Sequence, residues 1–231
     1  MTFSILAKDP NSKEIGIAIA TYSLAVGATC PFYVKGKAVI TSQSSTNPKI
    51  GQKIKQLIEN KKDPENSFNS SINEDPFKEF RQVAYLSFEN KSLVYTGNEV
   101  KEYCGSVIGK NCIAIGNYLE GKKVLDSMVE NFENNTKNLP FGEKIISSLL
   151  SGKKAGGQKS LEGNHLPERS SCIIVSSSEE LFPVNLRIDY SLDAISDLSD
   201  LYSEYIEMHK YYLKRASNPK DLPPQYKFKK E

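Results

Sequence analysis

Thr2 follows Met1 directly and opens the strand-like run Thr2-Phe3-Ser4-Ile5-Leu6-Ala7. A small second residue lets methionine aminopeptidase remove Met1, which leaves a threonine with a free α-amine. Such a residue holds a nucleophile and a base in one amino acid: the hydroxyl attacks and the amine takes its proton. An α-amine titrates near pH ~8, far below a lysine, so it can act as a base near neutrality. The chemistry this opens is acyl transfer from an amide. Gln43, Asn47, Arg81, Asn117, Arg187 and Asp189 stand beside or at the ends of apolar runs. Taken singly, each reads as a cap or a loop brace. Tyr22-Ser23-Leu24-Ala25-Val26-Gly27 closes a strand. Its glycine reads either as a tight turn needing positive φ or as part of a pocket wall whose backbone N–H groups meet an oxyanion.

Other chemistries fit less well. Gly152 to Ser160 has the glycines and lysine of a phosphate loop, but Gln158 separates the second glycine from Lys159, and a helix rather than a strand precedes it. Ser171, His165 and Glu168 could be imagined as a triad, yet no GxSxG elbow is present. His209 is in register with Ile195, Leu198, Tyr202, Tyr205 and Tyr212 and reads as a packed core histidine. Cys30, Cys104, Cys112 and Cys172 form no CxxC and read as free thiols; with two histidines in the chain, no metal site is expected.

The chain has 231 residues, 39% hydrophobic and 25% charged, with a formal net charge of +2. That composition is expected of a globular protein with a sizeable core. The balanced charge gives no footprint for nucleic acid. No window approaches 18 continuous apolar residues, so no membrane span is expected. No basic stretch followed by an apolar core opens the chain, so the expected location is cytoplasmic.

The elements that must hold Thr2 begin with a hairpin. Residues 3–7 and 15–21 flank the turn formers Asp9-Pro10-Asn11-Ser12, and both runs are apolar on two faces, as in the centre of a sheet. A third strand is expected at 37–43. Asn47-Pro48 starts a helix carrying Ile50, Ile54, Leu57 and Ile58. Residues 61–73 read as an exposed loop. A second hairpin spans 82–88 and 92–96 around Glu89-Asn90-Lys91, and short strands are expected at 106–108 and 112–115. Helices follow from Gly121, through Phe132, and from Pro140, the latter stopping at Gly152. Strands at 172–176 and 184–190 precede a last helix from about Asp193 to Ala216. Its three-four spacing also permits a helix pair between subunits, hence a homodimer. Residues 1–216 read as one domain, and the tail 217–231 as extended or disordered. Strands and helices do not alternate, which favours antiparallel sheets with helices segregated to outer faces, an α+β arrangement.

Several of these segments together carry a family resemblance. They are Thr2 to Pro10, Gly16-Ile17-Ala18-Ile19-Ala20, Ser23 to Gly27, and Thr41-Ser42-Gln43 with Asn47-Pro48. Further matches are Arg81-Gln82-Val83, Thr96-Gly97, Gly116-Asn117-Tyr118-Leu119, Ala155-Gly156-Gly157, Arg169 with Ser171, and Leu186-Arg187-Ile188-Asp189. Over residues 2 to about 210 the chain resembles domain of unknown function 1028, a family grouped with the N-terminal nucleophile hydrolases. The resemblance implies a four-layer αββα sandwich of two antiparallel sheets between helical layers. It implies Thr2 as nucleophile, with Ser23, Gln43 and Asn117 lining a pocket for a small-molecule amide; the alternative is a non-catalytic member of the same fold that binds a small molecule or a protein partner. Arg81 and Arg187 would support that pocket or bind an anionic group, and no cofactor is called for. The family's glycine pair usually continues with an aspartate; here Gln158 takes that place.

Overall fold

The computed structural model describes residues 1–89, 91–135 and 138–228. Strands β1 (Thr2–Asp9) and β2 (Glu14–Thr21) form the first hairpin, paired from Thr2↔Thr21 to Asp9↔Glu14. Then come β3 (Pro31–Val34), β4 (Ala38–Ser44), α1 (Pro48–Glu59), α2 (Pro64–Asn73), β5 (Arg81–Ser87), β6 (Ser92–Thr96), β7 (Gly105–Ile108) and β8 (Cys112–Asn117). The second half holds α3 (Lys122–Glu130), α4 (Phe141–Lys154), the short strands β9 (Gln158–Lys159) and β10 (His165–Leu166), β11 (Ser170–Ser177), β12 (Val184–Ile188) and α5 (Ala194–Ser217).

Two antiparallel sheets make the middle of the molecule. One has six strands in the order β12-β11-β2-β1-β8-β7, the other four in the order β3-β4-β5-β6. Alternation along each strand decides what each face meets. Leu6, Ile17, Ile19, Ile115 and Ile174 of the larger sheet pack against Val39, Ala84 and Leu86 of the smaller. On the larger sheet's outer face, Phe3, Ile5 and Ile173 meet Leu125 and Met128 of α3, Ile145 and Leu149 of α4, and Leu198 and Tyr202 of α5. On the smaller sheet's outer face, Ile40, Val83 and Tyr85 meet Ile50 and Ile54 of α1 and Phe68 and Ile72 of α2. The result is the four-layer αββα sandwich. Each fully buried aliphatic side chain stabilises it by roughly 1.5–3 kcal/mol.

The structure corrects two local expectations and adds a strand. Residues 64–73 are helix α2, not loop: the Asp63 side chain accepts the Asn66 N–H, Pro64 occupies the first turn, and Phe68 and Ile72 are buried one turn apart. Gly152 does not end α4. The helix runs on to Lys154, and the absent side chain makes room for Met128 of α3. Strand β3 had no expectation at all. In the second hairpin, Asn90 lies outside the described residues, as do residues 229–231 of the tail. Between 218 and 228 the backbone makes two short 3-10 turns and returns to α5, where the Tyr211 hydroxyl donates to the Pro223 carbonyl at 2.7 Å.

Candidate functional site

The hairpin register puts Thr2 opposite Thr21 on one side, and the β1–β8 pairing puts it opposite Asn117 on the other. Thr21 in turn faces Ser170 of β11. Asn117, Thr2, Thr21 and Ser170 therefore form one polar row across four strands. All four point between the sheets, because Ile115, Leu6, Ile19 and Cys172, two or four residues along, lie in the inter-sheet core. Gln43 and Gln82 pair with each other on the opposing sheet, on the face shared with Thr41, Ala84 and Leu86. The inter-sheet layer is thus apolar through its middle and polar at this end.

Hydrogen bonds fix the orientation of the three amides. Gln82 Nε2 donates to the Gly116 carbonyl at 2.9 Å and to Thr96 Oγ1 at 3.1 Å, so its Oε1 is the acceptor on the other side. Gln43 Nε2 (2.9 Å) and Asn117 Nδ2 (3.0 Å) both donate to that oxygen. Gln43 Oε1 accepts from Ser4 Oγ at 2.6 Å and from Thr41 Oγ1 at 3.2 Å. This leaves Asn117 Oδ1 as a fully buried acceptor with no hydrogen-bond partner. Leaving a buried acceptor unmade costs about 1–3 kcal/mol, so such an atom marks a place where a donor is missing.

The hydroxyls beside it follow a single direction. Thr21 Oγ1 donates its only proton to the Met1 carbonyl. At the 3.1 Å contact between Thr2 Oγ1 and Thr21 Oγ1, Thr2 must then be the donor. The Ser23 backbone N–H also reaches Thr21 Oγ1, at 3.3 Å. With Met1 in place, Thr2 is only 5% exposed. Burial lowers the Met1 α-ammonium from 8.0 to about 6, with Cys30 acting weakly the other way. Beyond Met1 lies a cavity of about 260 Å³, walled by Met1, Ser44 and Tyr118 among others. Hollows of about 660 and 530 Å³ lie at the far end of the sandwich, beside Asp9 and Lys144 and beside Lys37 and Asp63.

A second layer of polar contacts pins the segment after Thr21. Ser170 Oγ donates to the Ser23 carbonyl at 2.7 Å and accepts the Val26 N–H at 3.1 Å. Gln158 Oε1 accepts the Tyr22 N–H at 3.1 Å, and Gln158 Nε2 reaches Glu168 Oε1 at 3.4 Å. Burial raises the Glu168 carboxyl; Gln158 and Lys153 oppose this in part. Gln158 thus serves as a brace between the Thr21–Ser23 turn and a buried acid.

Of the residues singled out in the sequence, Thr2, Gln43 and Asn117 come together. Ser23 borders them through its backbone, while its side chain is exposed. Its segment bends at Ala25, which takes the positive φ (53°) expected of Gly27. Gly27 is glycine for another reason: a Cβ there would meet Arg187 Cγ at 2.6 Å. Arg81 is not in the polar row. Its Nε binds Asp75 at 2.8 Å and its guanidinium donates to the Ser45 carbonyl, bracing the start of β5. Arg187 lies three strands from β1, about 14 Å away at normal strand spacing, and forks onto Asp189 at 2.8 and 3.0 Å.

Thr21, Ser170 and Gln82 join the site without having been singled out. A signal for Thr21 existed: a four-residue turn at 10–13 forces Thr2 opposite Thr21. Nothing local marks Gln82, since its role depends on pairing between distant strands. Among the described residues no group of three or more His, Cys, Asp or Glu could hold a metal ion, and no helix is long and apolar enough to cross a membrane. All four cysteines are free.

The model of a family of unknown function, DUF1028, matches residues 2–198, and the chain belongs to that family. A crystal structure of protein SPO2555 from Silicibacter pomeroyi, described with the same family model, is similar. Its TM-score is 0.77 and its identity 31%, over 88% of this chain and 85% of that one. No curated protein matches the chain.

Proposed function

We propose that this DUF1028 member is an N-terminal nucleophile hydrolase, with Thr2 acting on a small amide once Met1 is removed. The observation that carries the reading is the unpartnered Asn117 Oδ1, buried on the rung that holds Thr2. Removing Met1 supplies the donor this acceptor lacks, in the form of the liberated Thr2 amine. The same cleavage deletes the carbonyl that takes the Thr21 proton. That carbonyl oxygen is two bonds from the nitrogen that becomes free, so Thr21 Oγ stays within reach of the amine. Loss of Met1 also takes down one wall of the adjoining cavity and joins it to the nucleophile.

The reaction then runs through the chain's own groups. The α-amine accepts the Thr2 Oγ proton as Oγ forms a bond to the substrate carbonyl carbon. The second amide hydrogen of Asn117 Nδ2 is the donor for the oxyanion, since the Tyr22, Ser23, Ala25 and Val26 N–H groups of the neighbouring turn already have acceptors. One such donor is typically worth about 3 kcal/mol in the transition state. The C–N bond breaks as the ammonium returns its proton to the leaving nitrogen, which leaves an ester on Thr2. Water, deprotonated by the same amine, hydrolyses the ester, releases a carboxylic acid and restores Thr2. No cofactor takes part, and the expected compartment is the cytoplasm.

Intact-mass measurement of the native protein gives the first test, because retention of Met1 in the whole population leaves Thr2 without its base. The second is a Thr2→Ala variant screened beside wild type against a library of small amides. The expected loss is on the order of a thousandfold or more. Equal hydrolysis by the two proteins would reject Thr2 as nucleophile.

A further inference from the structure

The cavity beside Thr2 has a charged rim that the acyl-transfer chemistry leaves unused. Its inner wall comes from two strand ends that turn sharply. Ser44 follows Gln43 at φ 74°, and Tyr118 follows Asn117 at φ 56°. Left-handed backbone at residues other than glycine is costly and gathers where a structure needs a particular surface. Here it bends both strands away from the polar row and leaves the hollow between them.

The outer wall is the loop after β6, and it is held rather than loose. Gly97 lies so close to the Glu79 backbone that any Cβ would collide with it. The Gly97 N–H binds the Arg81 carbonyl at 3.0 Å and the Glu99 N–H binds the Glu79 carbonyl at 2.8 Å. The Tyr118 N–H binds the Lys101 carbonyl at 3.2 Å. Val100 is buried, while Glu99 and Lys101 on either side of it are exposed. Both line the cavity, and neither forms an ion pair among the described residues. A negative and a positive side chain thus face one small polar hollow on a fixed frame.

We infer that this cavity recognises a small amide that carries both a free ammonium and a free carboxylate, bound through Glu99 and Lys101 respectively. This rests on the reading of Thr2 as nucleophile and names the class of substrate for that site. With Met1 still forming one wall, the volume, about 260 Å³, is below the roughly 300–1,000 Å³ of pockets for drug-sized ligands, and with the space Met1 gives up it suits a molecule the size of one or two amino acids. Two opposite charges at a fixed separation select against monopolar amides, because a blocked end leaves one rim charge without its partner.

The test uses full-length protein whose Met1 has been shown by mass to be absent. L-glutamine, L-asparagine and alanyl-alanine are each assayed beside the N-acetyl and methyl-ester forms, following ammonia or amine release. The same panel is titrated by calorimetry into the Thr2→Ala protein, which keeps the rim but lacks the nucleophile. At least one doubly charged amide is expected to bind. Blocking either end, or introducing Glu99→Gln or Lys101→Met, is expected to weaken it about tenfold or more, the worth of one charge-assisted hydrogen bond. Failure of every zwitterion to bind better than its blocked forms overturns the inference, as does indifference to both rim substitutions. Thr2-dependent hydrolysis that ignores Glu99 and Lys101 refutes the substrate class and spares the nucleophile. Rim-dependent binding with no turnover by the threonine protein refutes the nucleophile instead.

Discussion

At the residue scale, the polar end depends on groups whose partners come from distant parts of the chain. Arg81 begins β5 one residue before Gln82, and Asp75 holds it in place. Burial alone would raise the Asp75 carboxyl; hydrogen bonds from Arg81, Asn47 and the Phe77 N–H outweigh it and hold the group below its usual 3.8. The folded state therefore binds this proton less readily than the unfolded chain does. Its contribution is complete above the ordinary aspartate range and is lost as pH falls from there through the lowered value. Asp75→Asn is expected to cost about 2 kcal/mol at pH 7, because Arg81 keeps a buried charge without its anion. The cost should shrink as pH drops below 3.8. Urea midpoints of both proteins from pH 7 to pH 2.5 check this, and a pH-independent gap would contradict it.

At the element scale, a strand or helix was legible wherever its own residues carried the pattern. β1, β2, β8 and β11 are apolar on both faces and bounded by turn formers, and their central place in the larger sheet follows. The Asn47 cap with Pro48 in the first turn announces α1 just as plainly. α2 was hidden because Ser, Asn and Glu fill most of it, and its buried stripe of Ser67, Phe68, Ser71 and Ile72 holds only two apolar side chains. The candidate site was legible where it is local, at Thr2, and half legible at Gln43 and Asn117. Gln82 stayed hidden because its value lies in cross-strand pairing, which no window of sequence contains. Arg187 pairs with Asp189 away from the polar row, a placement its sequence could not show, because a basic residue at a strand end looks the same whether it meets a ligand or an acid. The loop after β6 yields a test at this scale. Gly97→Ala would drive a methyl group into the Glu79 main chain, which belongs to a short turn and cannot swing aside as a side chain would. The expected cost is about 1–3 kcal/mol, with faster amide exchange at Glu99 and Tyr118 by hydrogen–deuterium exchange. Unchanged protection there would show that the loop is not anchored through Gly97.

At the scale of the whole molecule, three apolar layers are stacked through two sheets, and each covering layer has a different reach. The family match ends at residue 198, yet α5 continues to Ser217. The first half of that helix belongs to the core: Ile195, Leu198 and Tyr202 are buried against the larger sheet and α4. The second half is held chiefly by aromatic contacts. His209 packs edge-on to Phe182 at 5.2 Å, and Tyr211 meets Phe228 at 4.7 Å. These two halves should respond differently to truncation. Ending the chain after Ser217 removes the Tyr211 cover but leaves every layer of the sandwich intact. Cooperative melting should persist, with Tm lowered by no more than about 5 °C, as expected for a loss near 1 kcal/mol in a chain this size. Ending it after Asp193 exposes Ile173, Val184 and Leu186, which α5 otherwise covers, and strips one helix from the outer layer. Each buried aliphatic or aromatic side chain lost from such a layer costs about 2–5 kcal/mol, so three cost about 6–15 kcal/mol, comparable with the whole margin of a typical domain. Calorimetry of that shorter chain should show no cooperative transition. A sharp melt would mean that the two sheets with α1 to α4 suffice, and that α5 is an accessory to the fold.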